Sequence, residues 1–176
     1  MGVSINAYTN LKLTRRKTFL KDNTLYIEGN VFWPERHLPF KDQRYYSYED
    51  NHHVIDCGYG RFHGFRNKLA RFAGYKYNIG ERGLSEDDLA YAEEFPYAFD
   101  ALKKNSGLFN IFLSFTDCGG VIGYLDCIKL LKDFEDNKEY AMIYASTTYD
   151  NSFKETYLEM VEGLKFASQK GALVID

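Results

Sequence analysis

The sequence predicts an α+β fold, with a mixed or antiparallel sheet packed by three or four helices. Three observations carry that expectation. Apolar residues alternate through much of the first third of the chain, as strands require, and then recur at helical spacing. The final apolar run, Ala172-Leu173-Val174-Ile175, follows Gly171 and reads as a closing strand. The 176 residues contain no internal repeat, no low-complexity tract and no linker, so residues 1–176 are expected to form a single domain.

The elements follow in order. Residues 3–13 open the strand region, with Val3, Ile5 and Ala7 on one face. Residues 25–33 carry Leu25, Ile27, Val31 and Trp33, interrupted at Glu28-Gly29-Asn30 by a turn or bulge. Pro34 ends that run, because proline has no N–H to give a ladder. Residues 45–48 and 53–57 are expected as the two arms of a hairpin around Glu49-Asp50-Asn51.

The period then changes. Phe62, Phe65, Leu69, Phe72 and Ala73 share one helix face, and Gly74 is a C-terminal stop. Ser85 precedes three acids, the pattern of an N-cap with charges suited to the positive end of a helix dipole. That helix runs to about Glu94, before Pro96, and a short helix over 97–104 ends near Asn105-Ser106-Gly107. Residues 108–115 alternate again, with Phe109, Ile111, Leu113 and Phe115 on one side, and predict a strand. A turn at 116–120 leads into a helix striped by Tyr124, Cys127, Ile128, Leu131 and Phe134. Residues 142–145 fit a short helix or strand. The last helix spans 153–169, capped by Asn151 or Ser152, with Tyr157, Met160, Val161, Leu164 and Ala167 on one face.

Composition bounds function. Hydrophobic residues are 45% and charged residues 27%, which excludes disorder. Aromatic content is high at 17%, from 15 Tyr, 14 Phe and 1 Trp. A net charge of −3 disfavours a binder of duplex nucleic acid. The charge is uneven: residues 61–82 carry six Lys/Arg against one acid, and residues 83–100 carry six acids and no Lys/Arg. Those neighbouring segments either lie side by side as a solvated face or leave a basic patch for an anion. No apolar stretch is long enough to span a membrane, and the first residues have no signal-peptide pattern. Cys57, Cys118 and Cys127 are odd in number and lack C-x-x-C spacing, so reduced thiols and a cytoplasmic location are expected.

Three places break the local rules. Arg66 falls at about 40° on the wheel that starts at Phe62, inside the apolar arc. An arginine there snorkels, pairs with a carboxylate such as Asp56 or Asp117, or contacts a ligand. Asp117-Cys118-Gly119-Gly120 lies between the expected strand and helix. N–H groups at a helix start suit an anion, and a thiol there becomes more acidic. The plain alternative is a tight turn with Asp117 as cap and Cys118 as a small core residue. The spacing matches neither a P-loop nor a dinucleotide fingerprint. Third, Gly58-Tyr59-Gly60-Arg61-Phe62-His63-Gly64 follows His52-His53, so three of the four histidines fall within twelve residues. Each strand face offers two ligands where a metal needs three or four, with His37 or His63 left to complete a set, so surface histidines and no metal are expected. The glycines are expected to form a loop bringing Tyr59 and Arg66 together above the sheet.

The opening Met1-Gly2-Val3-Ser4-Ile5-Asn6-Ala7-Tyr8 resembles the M-G-x-x-I-x-A-Y start of a family of small phage and bacterial proteins. Residues 59–70 are similar to its Y-x-G-Y-N-x-W-R-x-x-L-A segment, with Phe65 and Arg66 at the W-R positions. Residues 115–123 are similar to its F-S-D-C-E-G-V-I-G segment, and residues 163–175 to its final helix and strand. Residues 75–105 are not covered. Gly119 stands where the family has Glu, and His63 where it has Asn. The resemblance implies no activity. It implies that Arg66, Asp117 and Cys118 belong to one site, and that the gene is carried by a phage or mobile element.

The expected function is a non-catalytic binding protein for a small anionic, nucleotide-like ligand, with sequestration of a host defence signal as one use. The expected site is Tyr59, Arg66, Asp117, Cys118, Gly119 and Gly120, with no cofactor. One alternative is a protein-interaction module or host-factor inhibitor, in which Tyr-rich surfaces contact a host protein or a second copy of the chain. Another is a hydrolase with Cys118 as nucleophile and His63 or His53 as base. The tyrosines between residues 45 and 97 mark where ligand or partner would bind.

Overall fold

The computed structural model describes residues 2–14, 23–28, 36, 38–80, 84–115 and 119–176. In chain order the strands β1 (Gly2–Tyr8), β2 (Lys12–Leu13), β3 (Thr24–Ile27), β4 (Arg44–Ser47) and β5 (Asn51–Gly58) precede helices α1 (Tyr59–Phe72), α2 (Glu86–Glu94), α3 (Pro96–Lys104) and α4 (Asn110–Leu113). Then come β6 (Gly120–Gly123), α5 (Tyr124–Asp136), α6 (Lys138–Thr147), α7 (Asn151–Ala167) and β7 (Ala172–Ile175). The fold is α+β with two antiparallel sheets, ordered β5-β1-β7-β6 and β2-β4-β3.

The C-terminal strand ends up inside the larger sheet, between β1 and β6. All four of its residues are buried, which explains why it reads as a continuous apolar run rather than an alternating one. Leu173 and Ile175 join Val3, Ile5, Ala7 and Ile122 on the face covered by α1, α5 and α7. Ala172 and Val174 face the other way and meet Leu11, Ile27, Phe40, Tyr46 and Val121, so the small sheet packs against the back of the large one. Close approach fixes this corner: a Cβ on Gly171 would overlap the carbonyl oxygen of Tyr8.

The helix-side core absorbs much of the aromatic excess. Phe62, Phe109, Phe112, Phe134, Phe153 and Tyr157 are all 2% exposed or less. Phe109, Phe134 and Tyr157 stack edge to face or tilted, with Phe134 at 4.7 Å from each of the other two ring centres. The Tyr157 hydroxyl donates to the Phe134 carbonyl at 2.7 Å, so its polar end is satisfied in the core.

Ser85 caps α2 by accepting from the Asp88 N–H at 3.1 Å, as the sequence predicts. Asn105 takes the left-handed conformation that ends α3. Asp150, rather than Asn151 or Ser152, caps α7 by accepting from the Phe153 N–H at 3.0 Å.

Four expectations are corrected. Residues 108–115 hold a short helix instead of a strand. Phe109 adopts φ 58°, its N–H donates to Asp133 at 3.0 Å, and Phe112, off the predicted strand face, is fully buried with Phe109 and Leu113. The i, i+3, i+4 spacing of those three residues fits a helical turn as well as their neighbours fit alternation. Residues 45–48 and 53–57 do not pair with each other: β4 belongs to the small sheet, and β5 pairs with β1. Gly119 and Gly120 do not start a helix, because residues 120–123 pair with β7 and α5 begins at Tyr124. The glycines after β5 form no loop: α1 begins at Tyr59, directly after the strand, and carries Arg66 two turns on.

Candidate functional site

Strand β5 is one edge of the large sheet. It pairs with β1 from Gly2↔Gly58 to Ile5↔Ile55, then resumes at Asn6↔His53, which leaves Val54 as the extra residue of a bulge. The bulge turns Val54 into the protein, where it is 5% exposed. It packs on Gly163 of α7, the one position of that helix with room for it: a Cβ there would overlap the Val54 side chain.

This arrangement opens a cleft of about 270 Å³ between β5, the start of α1 and the outer face of α7. Strand β5 contributes Asp56 and Cys57, the first turns of α1 contribute Arg61 with Phe62 and Phe65, and α7 contributes Glu155, Thr156 and Glu159. Helical spacing explains the α7 group. Residues 155 and 159 are one turn apart, and Thr156 sits one step inward. Phe62 and Phe65 belong to the core and are 2% and 5% exposed.

Three carboxylates face one guanidinium, so the cleft carries a charge of −2. Neither Glu155 nor Asp56 forms an ion pair among the described residues, and Glu159 approaches only His52, at 3.7 Å. Thr156 is 9% exposed, and its hydroxyl makes no hydrogen bond to any described residue. Burial pushes the Cys57 thiol up; Arg61 opposes that shift and Asp56 adds to it. Cys57 is therefore a thiol rather than a thiolate at neutral pH, which disfavours it as a nucleophile.

Of the sequence-predicted site residues, the described ones, Tyr59, Arg66, Gly119 and Gly120, do not line the cleft. Tyr59 stacks on His63 at 6.4 Å, near but outside the cleft. His63 is 8% exposed among Tyr59, Phe62, Tyr91 and Phe95, so the expectation of a surface histidine fails for it. His53 does face outward and bonds Asn6, with Nδ1 and Oδ1 3.1 Å apart. Gly119 and Gly120 lie at the opposite edge of the sheet, three strand spacings or about 14 Å from β5. Asp117 and Cys118 lie outside the described residues, as does His37.

Arg66 takes a role that the sequence reading did not include. It is 4% exposed and donates through one guanidinium nitrogen to the carbonyl oxygens of Leu113 and Phe115, the latter at 2.8 Å. Those carbonyls close the C-terminal end of α4, where a positive group offsets the helix dipole. Its guanidinium also lies over the Phe62 ring at 5.5 Å. The charge is thus held by carbonyl dipoles and a π face, with no carboxylate partner among the described residues.

The basic and acidic segments do meet, through α1 packed on α3, but mainly by other contacts. Arg71 lies over the Tyr97 ring at 5.7 Å, and Asn67 accepts from the Tyr97 and Ala98 N–H groups. Lys68 pairs instead with Asp150. Among the described residues, no three His, Cys, Asp or Glu side chains are grouped to hold a metal ion, and no helix is long and apolar enough to cross a membrane.

The sequence reading singled out Asp56 and Cys57 but assigned no role to Arg61, Glu155, Thr156 or Glu159. The available signal was Glu155 and Glu159, like charges one turn apart on the helix surface. No protein-family model matches the chain, and no curated protein and no solved structure is significantly similar to it.

Proposed function

We propose that this is a non-catalytic binding protein whose small ligand occupies the cleft between β5 and α7. The observation that carries the reading is the lining of the cleft, in which Asp56, Glu155 and Glu159 stand against the single guanidinium of Arg61, with Thr156, 9% exposed and without a hydrogen-bond partner among the described residues, on its wall. A concave site with an apolar wall and a few placed polar groups is the usual form of a small-ligand site. The groups lining the cleft support the non-catalytic reading. Cys57 is held protonated, no described histidine lines the cleft, and a nucleophile without a base within reach is weak.

The ligand expected from sequence was anionic, and it relied on Arg66. With that guanidinium committed to two carbonyl groups, the negative cleft favours a cationic ligand instead. A protein-interaction role draws support from a different surface: Tyr140, Ile143 and Tyr149 on and after α6 are 67%, 54% and 93% exposed.

Native mass spectrometry of freshly purified protein tests the binding reading. A small molecule carried at one copy per chain, released chemically intact, and missing from a Thr156→Phe variant that still folds is the expected result. A carried molecule that persists in that variant contradicts the placement, and release of a converted product contradicts the non-catalytic assignment.

A further inference from the structure

We infer that the cleft recognises an aliphatic di- or polyammonium compound; this rests on the binding reading above and names its ligand class. Charge comes first. The cleft's net −2 matches a linear diamine, which carries two positive charges at neutral pH. The placement of the carboxylates comes second. They do not converge, since no described group of three such side chains is placed to hold a metal ion. Glu155 and Glu159 are instead spaced about 6 Å along the axis of α7, with Asp56 across the cleft on β5. Separated carboxylates suit a ligand whose ammonium groups are themselves separated by a methylene chain.

The remaining groups fit the same ligand. Phe62 and Phe65, with Val54 and Ile55, give the methylenes an apolar wall. Thr156 Oγ1 has free acceptor capacity among the described residues, and an ammonium offers donors only. Glu155 and Glu159 repel each other at i, i+4, and neither has a lysine or arginine partner among the described residues. A bound cation relieves that repulsion.

Arg61 gives the inference its sharpest test. For an anionic or zwitterionic ligand, Arg61 is the residue that holds the carboxylate or phosphate. For a polyammonium ligand it is a like charge at the cleft mouth, and its removal improves binding.

The experiment is calorimetric titration of the full chain with spermidine and 1,4-diaminobutane, beside 1,4-butanediol, free leucine and inorganic phosphate. Expected are saturable binding of both amines, none of the diol, and weakening with added salt. Glu155→Gln with Glu159→Gln should weaken spermidine by at least about tenfold, equivalent to about 1.4 kcal/mol. Thr156→Val should weaken it by a smaller factor, and Arg61→Ala should tighten it several-fold. Circular dichroism melting confirms that each variant folds, and the exposed glutamates are safe sites if Thr156→Val does not. Amine binding unchanged by the glutamate pair overturns the inference. Leucine or phosphate binding that is lost in Arg61→Ala overturns the polyammonium class while leaving a ligand cleft in place. No binding by any of these compounds overturns the class. The binding reading then stands or falls on the carried molecule seen by native mass spectrometry.

Discussion

Val54 rests on Gly163: the extra residue of the β5 bulge occupies the space that any side chain on that turn of α7 would fill. This contact sets the distance between the two walls of the cleft. A bulge on an edge strand also blunts the edge against pairing with another chain. The same irregularity therefore protects the sheet and opens the site beside it.

Gly163→Ala is expected to destabilise the fold by about 1–3 kcal/mol, the range for inserting a methyl group into a packed contact. Val54→Ala alone should cost a comparable amount by leaving a void. Combined with Gly163→Ala, it should recover part of the loss, because the two changes compensate in volume. Urea denaturation of the two single variants and the double variant measures the coupling. Strict additivity would show that the contact is not the constraint.

Arg66→Met should destabilise the protein severely. It leaves the Leu113 and Phe115 carbonyls without their donor, at about 1–3 kcal/mol for each unsatisfied group. Ligand affinity of the folded fraction should not change, since Arg66 does not line the cleft. Loss of affinity without loss of stability would return Arg66 to the site.

Stability should fall on acidification through Asp100 and Asp150. Burial raises the Asp100 carboxyl, but bonds from Lys104, the Lys76 N–H and Asn78 outweigh it and leave the pKa below its ordinary value. Asp150 behaves alike: burial raises it, and Lys68 with the Phe153 N–H brings it lower. A carboxyl more acidic in the folded chain contributes fully above its unfolded pKa, and that contribution is lost as pH falls through the folded pKa. Asp100→Asn should therefore lower stability at neutral pH and flatten the acid limb below the ordinary carboxylate range. Denaturation midpoints across that range provide the check, and an unchanged acid limb would remove Asp100 from the account.

The cysteines should react in a fixed order. Cys57 is half-buried at the cleft, while Cys127 is fully buried, its thiol pushed up to about 12 by burial. Site-resolved alkylation under native conditions should label Cys57 slowly, faster as pH rises, and leave Cys127 unmodified until the chain unfolds. Early labelling of Cys127 would contradict the packing of α5 against the sheet.

Much of the fold was legible in sequence because periodicity survives wherever one face is buried. Val3, Ile5 and Ala7 on β1, the Phe62–Leu69 stripe on α1 and the Ser85 cap all read through. Residues 108–115 did not, because their apolar spacing satisfies two periods and a tertiary bond from Phe109 to Asp133 decides between them. The separation of β4 from β5 was hidden for a related reason. Pairing partners distant in the chain, β1 for β5 and β3 for β4, displaced the local hairpin. The cleft was hardly legible at all. It joins Asp56 to Glu159 across a hundred residues, and nothing local marks such a meeting. Arg66 was recognised as anomalous within an apolar arc, but its partners are carbonyl groups, which carry no signature in the side-chain pattern.

The alkylation rate of Cys57, with and without bound ligand, reports whether the β5–α7 cleft holds the ligand. Peptide mapping reads that residue separately from Cys118 and Cys127. Saturating ligand should slow Cys57 labelling in proportion to occupancy, with no change at Cys127 and less protection at sub-saturating ligand in the Glu155→Gln, Glu159→Gln variant than in the unmodified sequence. Full binding by calorimetry with Cys57 labelled at an undiminished rate would place the ligand elsewhere and contradict the account.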